Sequence, residues 1–242
     1  MTRRGCVAGS RPYKVEEPAD GLDGTVPEVS EGQLDGVAVG RAITDVVRPH
    51  LRRAGFTKFT PRKGWRFGDE TIDLVNFRSF SSYIAGGVGC TTYSFSVTTG
   101  VYYRCLDRDM QKPDDYHLTF RIELGKSVRQ PWFRPGGDDR VTDRPDVWYV
   151  LPDGSNLAEC VEDAADQVVV GALPMIDRLD EPEAAYRALL TEPSRNPDFG
   201  SPGLAMPGAP DSPRWRDVTL AIGHLVVPDP RVDMRSAPVL RR

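Results

Sequence analysis

The stretch HLTFRIEL, residues 117–124, decides the fold class. Its apolar residues Leu118, Phe120, Ile122 and Leu124 alternate with the polar residues His117, Thr119, Arg121 and Glu123. A period of two is typical of a β-strand with one buried face and one solvent-facing side. One-sided burial indicates an antiparallel sheet, because parallel sheets are usually covered on both faces. The stretch from Tyr93 to Tyr103 alternates in the same way and predicts a second such strand.

Amphipathic helical patterns flank these strands. Apolar residues recur at helical spacing over residues 37–54 and again over 156–178. The predicted strands are 56–60, 65–67, 71–80, 93–103, 117–124 and a short edge strand at 147–150. The segments 81–90 and 106–116 are predicted to be loops. We therefore predict an α+β fold, with an antiparallel sheet of about five strands and the helices packed on one of its faces.

The second half of the chain is predicted to be mainly helical. Asn156, with Glu159 three residues later, has the spacing of a capping box and should begin the long helix. Gly171 and Pro174 should perturb that helix. A shorter helix follows from residue 182, with Asp180 as its expected N-cap.

A single domain with two tails is the expected organisation. Residues 1–35 are rich in Pro, Gly and acidic residues and poor in apolar ones, which predicts a disordered N-terminal tail. Residues 228–242 are again Pro-rich and predict a disordered C-terminal tail. Residues 36–227 should form one domain, in which the Pro/Gly-rich stretch 191–213 precedes a last helix.

Composition disfavours several classes of protein. The net charge of −4, from 31 basic and 35 acidic residues, gives no overall attraction to nucleic acid. Of the basic residues, 26 are Arg and 5 are Lys, which indicates a GC-rich, bacterial source. No apolar run approaches the ~20 residues that cross a bilayer, and the N-terminus lacks the apolar core of a secretory signal. With only four cysteines and no C-x-x-C pair, we expect a soluble, cytoplasmic protein with reduced thiols.

The segment AGGVGCTT, residues 85–92, looks like the phosphate loop K-G-G-x-G-K-T-T of the deviant Walker A ATPases. Both lysine positions differ, because they hold Ala85 and Cys90, so the charge that would reach the phosphates is missing. A phosphate loop must also open a helix, whereas a strand pattern follows here. We predict a flexible loop between strands and no nucleotide.

No catalytic, metal or cofactor motif is evident. His50, His117 and His224 are far apart and lack a second ligand at metal-binding spacing. Asp138-Asp139, beside two glycines, is explained better by a solvated turn than by a cation site. There is no G-x-S-x-G elbow and no Cys with a nearby His. We predict no catalytic residue, no metal and no cofactor.

A basic run extends from Arg48 to Arg66, with seven basic residues, no acid and three interleaved aromatic residues. This composition superficially suits a nucleic-acid surface. A solvated helix face and turn, balanced by the acidic N-terminal segment, explain it more simply. Nucleic acid is therefore a disfavoured partner.

Short motifs along the chain resemble the domain of unknown function 4304 family over roughly residues 37–192. These motifs are LRRAGF at 51–56, DLVNFRS at 73–79, FSV at 95–97, RIELG at 121–125, Trp148, and LPM at 173–175. Many members of the family carry Gln where this chain has Arg78. The family has no established activity, so the resemblance implies an architecture without a mechanism. A shared site would involve Asn76, Ser79, Arg121 and Trp148.

The polar side of the sheet is the candidate site. Arg121 and Glu123 share that side with His117, near Ser96, and could form either a plain surface ion pair or part of a binding groove. The predicted binding residues are Asn76, Ser79, Ser96, Arg121, Glu123 and Trp148. We expect a non-enzymatic binding module with a protein partner, for example a toxin-neutralising immunity protein. The alternative is a hydrolase or other small-molecule enzyme with its site on the same sheet face.

Overall fold

The computed structural model describes residues 34–127, 144–191, 203–205 and 213–226. The helices are α1 (Gly36–Arg53), α2 (Ser82–Val88), α3 (Leu157–Asp166), α4 (Leu173–Asp180), α5 (Pro182–Thr191) and α6 (Pro213–Val226). The strands are β1 (Lys58–Phe59), β2 (Lys63–Phe67), β3 (Thr71–Ser79), β4 (Phe95–Tyr103), β5 (Phe120–Glu123) and β6 (Gly203–Ala205). The two predicted tails lie outside the described residues, except for residues 34 and 35.

The strands form one antiparallel sheet in which spatial order follows chain order, from β1 to β6. The longest strands, β3 and β4, occupy the centre and pair along their whole length. Five of the six predicted strands form, as β1 to β5, and the three-residue β6 is a short strand within the stretch 191–213, which was predicted as a loop. The predicted α+β fold is therefore confirmed.

Five of the described helices, α1 and α3 to α6, lie on one side of this sheet, which we call the helix face. Their buried residues form a single apolar cluster with alternate residues of β3, β4 and β5, including Phe120 and Ile122. In α1 the buried residues recur every fourth position, as an amphipathic helix on a sheet requires. Burying each large apolar side chain stabilises the fold by about 1.5–3 kcal/mol. Because Phe120 and Ile122 are buried here and Arg121 is not, the predicted register of β5 is confirmed.

The opposite side of the sheet, which we call the second face, is not open to solvent as the alternation predicted. All nine residues of β4 are buried, including Ser96 and Thr98. Trp65, Leu74 and Leu118 form an apolar cluster on this face. The indole Nε1 of Trp65 donates to the Pro113 carbonyl at 2.9 Å, which draws the segment after β4 over the sheet. Small hydroxyl side chains tolerate such burial when they are hydrogen-bonded.

The strand predicted at 117–124 is shorter than its alternation, because β5 begins at Phe120. Residues 115–117 form a 3-10 turn instead, capped by the side chain of Asp114. Leu118 packs on the second face and not with Phe120. The hydroxyl of Thr119 is buried, where it accepts a hydrogen bond from the Tyr103 backbone at 3.1 Å.

The glycine-containing segment 85–92, predicted as a flexible loop, contributes its first half to helix α2. Ser81 caps the helix, since its hydroxyl accepts a hydrogen bond from the Ile84 backbone at 3.3 Å. Gly89 ends it with a positive φ of 74°. The prediction of a loop was wrong, because the two caps offset the poor helix propensity of Gly86 and Gly87.

Residues 147–150 are buried inside the molecule and do not form the predicted edge strand. Trp148 makes an isolated bridge to Phe95, with backbone hydrogen bonds of 2.9 and 3.2 Å. Its indole stacks on the Phe95 ring with a centroid separation of 5.8 Å. Val147 and Tyr149 pack instead in a cluster with α2. The apolar composition of this segment reflects its burial between α2 and the main core.

Hydrogen bonds join the residues on either side of the segment 128–143, which itself lies outside the described part. We call these contacts the neck. The Lys126 backbone donates to the Pro145 carbonyl at 2.8 Å, and its ammonium group donates to the Arg144 carbonyl at 3.0 Å. The Ser127 backbone donates to the carboxylate of Asp163 in α3 at 3.1 Å. The chain therefore leaves and returns at one fixed point.

The long helix predicted from residue 156 is perturbed as expected, because a π-helical segment, Gln167–Ala172, separates α3 from α4. The predicted capping box at Asn156 does not form. Asn156 is the N-cap residue, but its side chain is held elsewhere, accepting from the Leu151 backbone and donating to the Tyr149 carbonyl, both at 2.8 Å. Asp180 is the last residue of α4 and not the N-cap of α5.

Candidate functional site

A row of polar side chains crosses the second face. Lys63 lies opposite Asn76, Asn76 opposite Thr98, and Thr98 opposite Glu123 on successive strands. Directly opposed residues of an antiparallel sheet point to the same side. The Thr98 hydroxyl donates to the Glu123 carboxylate at 2.9 Å. Two of the predicted site residues, Asn76 and Glu123, are thereby brought into one row.

Arg121 lies beside this row, two residues before Glu123 on the same strand face. Its guanidinium forms an ion pair with the Glu123 carboxylate. The Arg121 side chain is 32% exposed and that of Glu123 is 11% exposed, so the pair sits at the boundary with solvent. Ser96 is on the same face, opposite Arg78. Four of the six predicted residues therefore share the second face.

Two further ion pairs tie the 3-10 turn to the second face. The ammonium group of Lys63 contacts both carboxylate oxygens of Asp114, at 2.7 and 2.8 Å. Partial burial acts to raise the pKa of Asp114, but the hydrogen bond from Lys63, the hydrogen bond from the Asp115 backbone and the Lys63 charge together outweigh this effect and lower the pKa. The guanidinium of Arg78 lies 3.2 Å from the carboxylate of Asp115. The turn is therefore fixed at two successive residues.

An exposed aromatic residue follows directly in that turn. Tyr116 is 67% exposed, and its ring packs on the ring of His117 with a centroid separation of 3.9 Å. His117 is fixed in turn, because its Nδ1 accepts a hydrogen bond from the Asp114 backbone at 2.9 Å. The turn thus holds an exposed tyrosine next to two ion pairs.

Two predicted site residues lie elsewhere. Ser79 is exposed at the end of β3 and is paired with Phe95, which points to the helix face. Trp148 is fully buried, and its indole Nε1 donates to Asp163 at 2.8 Å. These positions do not join the second face, and Trp148 has a packing role. The contacts of Asp114 and Asp115 were not predicted from the sequence, because their partners are remote along the chain.

A separate charged cluster joins the helix face to α4. Arg66 contacts Asp73 at 2.5 Å, Asp177 at 2.7 Å and Asp180 at 3.6 Å. The hydroxyl of Thr71 donates to Asp180. This network attaches the end of α4 to β2 and β3. Asp73 is an acidic residue among the apolar residues of β3, and this is the sequence signal that could have indicated the network.

Asp73 is the most perturbed carboxylate of that cluster. Its side chain is 1% exposed. Burial raises its pKa to about 7, the nearby Asp180 charge adds to the increase, and Arg66 opposes it. A group with this pKa is suited to proton transfer, but a substrate does not reach it in this conformation. We therefore interpret the contacts among Arg66, Asp73 and Asp180 as a link between α4 and the sheet.

The described part of the chain gives little support for a cysteine nucleophile or a metal site. Burial raises the pKa of the Cys90 thiol to about 11, which keeps it protonated and poorly nucleophilic. Across the described ranges, no group of three or more His, Cys, Asp or Glu side chains is placed to hold a metal ion. None of the described helices combines the length and the apolar character needed to cross a bilayer.

Compared with protein-family models, curated proteins and solved structures, the chain has no match. The resemblance to the domain of unknown function 4304 family remains a proposal. The geometry of the second face is thus the basis for a functional hypothesis.

Proposed function

We propose that the protein is a non-enzymatic binding module that recognises a partner protein through the second face of its sheet. The observation that supports this proposal is the exposed Tyr116, held in a turn whose neighbours Asp114 and Asp115 are both ion-paired to the sheet. Tyrosine and arginine are the side chains most enriched at protein interfaces. Here an exposed tyrosine lies in the turn that is ion-paired to the second face, and two partly exposed arginines, Arg78 and Arg121, belong to that face.

The ion pairs favour a protein partner in a second way. A side chain that is already fixed loses little conformational freedom on binding, so less of the contact energy is lost to ordering. Paired charges of both signs also select a partner with a complementary pattern, which gives specificity and a faster encounter. A toxin-neutralising immunity protein is one class of module with these requirements, and we include it in the proposal.

The test compares two exposed tyrosines. Tyr116→Ala removes the aromatic residue of the turn, and Tyr83→Ala removes one from α2 that is 90% exposed. Both variants should melt within about 2 °C of the parent protein, because neither side chain is buried. A partner should be captured from lysate by affinity purification, identified by mass spectrometry, and its dissociation constant then measured with purified proteins.

We expect Tyr116→Ala to weaken that complex about tenfold or more, and Tyr83→Ala to leave it within about twofold. Arg121→Ala should weaken it as well. Equal affinities for Tyr116→Ala and the parent protein would contradict the proposal.

An enzyme remains the competing proposal, and Asp73 is the observation that favours it, because its pKa of about 7 suits a general acid or base. That residue belongs to the helix face and not to the second face. Turnover of any ester, amide or phosphate substrate that Asp73→Asn abolishes, while Tyr116→Ala leaves it intact, would favour the enzyme over the binding module.

A further inference from the structure

The turn that carries Tyr116 is closed by a histidine. His117 is the third residue after the N-cap residue Asp114, the position that glutamate or glutamine occupies in an ordinary capping box. Its Nδ1 accepts a hydrogen bond from the Asp114 backbone at 2.9 Å, and the His117 backbone donates to the Asp114 carbonyl at 2.9 Å. The turn therefore uses an imidazole in the place of an acceptor that never becomes positively charged.

The hydrogen bond at Nδ1 requires a neutral imidazole. A backbone N–H only donates, so Nδ1 must offer its lone pair and the single ring proton must lie on Nε2. An imidazolium, formed when the ring takes up a proton from solvent, is a donor at both nitrogens. Two donors would then face each other at Asp114, and the hydrogen bond would be lost. Protonation at Nδ1 therefore opposes this arrangement of the turn.

The acidic residues of the turn are already paired. Asp114 contacts Lys63 of β2 at 2.7 Å, and Asp115 contacts Arg78 of β3 at 3.2 Å. The pKa of Asp114 is lowered, so its carboxylate stays charged in mildly acidic solution. Because each negative charge is balanced by a cation, the turn gains little from a positive charge at His117.

The remaining neighbours of the turn do not change charge near neutral pH. The strand β4 also packs against the turn, and Phe95–Tyr103 contains no charged residue. Its titratable residue on the second face is Tyr102, whose pKa is raised by burial and by the Asp107 charge. The Tyr116 ring packs on the imidazole. Histidine is the side-chain type that ordinarily changes charge between about pH 5 and 8, so His117 is the group that responds to mild acidification.

We propose that His117 is a pH-sensitive switch in the partner surface, because its neutral imidazole holds the turn that carries Tyr116 and its protonated form releases the capping hydrogen bond. This inference rests on the proposed function, since it assigns a regulation to the same surface. The two ion pairs of the turn are present in both states, so the change is local. A loosened turn loses more conformational freedom when a partner binds. The partner is therefore bound more tightly in neutral than in mildly acidic solution.

Solvent-exchange NMR of the nitrogen-15-labelled full chain tests the switch without a partner. The readout is the protection factor of the Asp114 amide, which is corrected for the intrinsic pH dependence of exchange. It should fall at least about threefold between about pH 7.5 and about pH 5.5, in step with the titration of the His117 ring in the same samples. A protection factor that stays constant while the ring titrates, or a ring that stays neutral over this range, would overturn the proposal.

Two variants at His117 separate the hydrogen bond from the charge. His117→Gln keeps a neutral acceptor that does not titrate, so the protection factor of the Asp114 amide should change less than about 1.5-fold over the same pH range. His117→Ala has no acceptor and should show the low protection of the acidified parent protein at both pH values. Parent-like protection in His117→Ala would overturn the proposal. The matched control is His50→Gln in the last turn of α1, which should retain the parent's pH dependence.

The purified partner from the Tyr116→Ala experiment tests whether the switch regulates binding. The dissociation constant of the parent protein should rise at least about threefold between about pH 7.5 and about pH 5.5, beyond any rise seen with His117→Gln. Titration of the partner itself affects both proteins equally, so the comparison removes it. Equal pH dependence for the two proteins would overturn the proposed regulation. If Tyr116→Ala leaves the complex unchanged, the proposed function fails, whereas the exchange of the Asp114 amide still decides whether His117 switches the turn.

Discussion

The two faces of the sheet bury polar groups in different ways. On the helix face, Asp73 and Trp148 are almost completely buried: the Asp73 carboxylate contacts Arg66 of β2, and the Trp148 indole donates to Asp163 of α3. On the second face, the Arg78–Asp115 and Arg121–Glu123 pairs remain partly exposed. A buried polar contact is costly to break because the remaining partner stays desolvated, whereas a half-exposed pair is replaced by water at little cost. The helix face should therefore determine stability, whereas the partly exposed ion pairs of the second face should be available for binding.

The largest effect is expected from Trp148→Ala on the helix face. Losing its stacking on Phe95 and creating a cavity should reduce the free energy of unfolding by about 3–5 kcal/mol. Trp148→Phe keeps a ring at this position but removes the Nε1 donor to Asp163, and should cost about 1–3 kcal/mol. Urea denaturation measures both. A cost below about 1 kcal/mol for Trp148→Ala would break the distinction between the faces.

Next in size is a pH effect at Asp73. Because its pKa is raised from 3.8 to about 7, the folded protein holds the proton more tightly than the unfolded chain. The resulting stability is fully present below about pH 4 and is lost as the pH rises through about 7. Relative to Asp73→Asn, the parent protein should lose about 1–4 kcal/mol over this interval.

Urea denaturation at several pH values measures this loss. Asp177→Asn is the control, because the Asp177 side chain is 60% exposed although it also contacts Arg66. It should retain most of the parent's pH dependence. Parallel pH profiles for Asp73→Asn and the parent protein would show that Asp73 does not titrate in this range.

On the second face, Arg121→Ala should lower the free energy of unfolding by less than about 1 kcal/mol. Glu123→Ala should cost about 1–2 kcal/mol, because Glu123 is the more buried partner and also accepts the Thr98 hydrogen bond. Chemical denaturation of both variants measures the difference. A loss above about 3 kcal/mol for Arg121→Ala would show that this face is as structural as the helix face.

The smallest effect is expected at α2, which lies apart from the ion pairs. Gly87 is helical, and a Cβ added there would meet no atom within 4 Å. Gly87→Ala should therefore stabilise the protein by about 0.5–1 kcal/mol through helix propensity. A rise of the urea midpoint at unchanged slope would support the helix, and a fall would favour the flexible loop that the sequence predicted.

The fold class was predictable because its signal is local. The burial of Phe120 and Ile122 follows from alternation within four residues, and α1 from its apolar stripe. The covering of the second face was not predictable, because it depends on Trp65 reaching Pro113, which lies 48 residues away. Alternation reports which side a residue faces and not what packs against that side.

The candidate site was likewise predictable only where its residues are close together in the sequence. The Arg121–Glu123 pair follows from two residues on one strand face, so the sequence placed it correctly. The Lys63–Asp114 pair joins positions 51 residues apart and leaves no local pattern. Trp148 was assigned to the site from the resemblance alone, whereas its apolar neighbours indicate burial.

The neck formed by Lys126 with Arg144 and Pro145 makes this position an insertion point for protein engineering. Because the ends of the intervening segment are already held together, doubling the length between them should cost only about 0.6 kcal/mol. Replacing residues 129–142 with a Gly/Ser linker, or with a fluorescent reporter, should shift the melting temperature by no more than about 4 °C. A larger drop would mean that the replaced residues contribute packing of their own. Otherwise, the neck provides a defined place to attach a label.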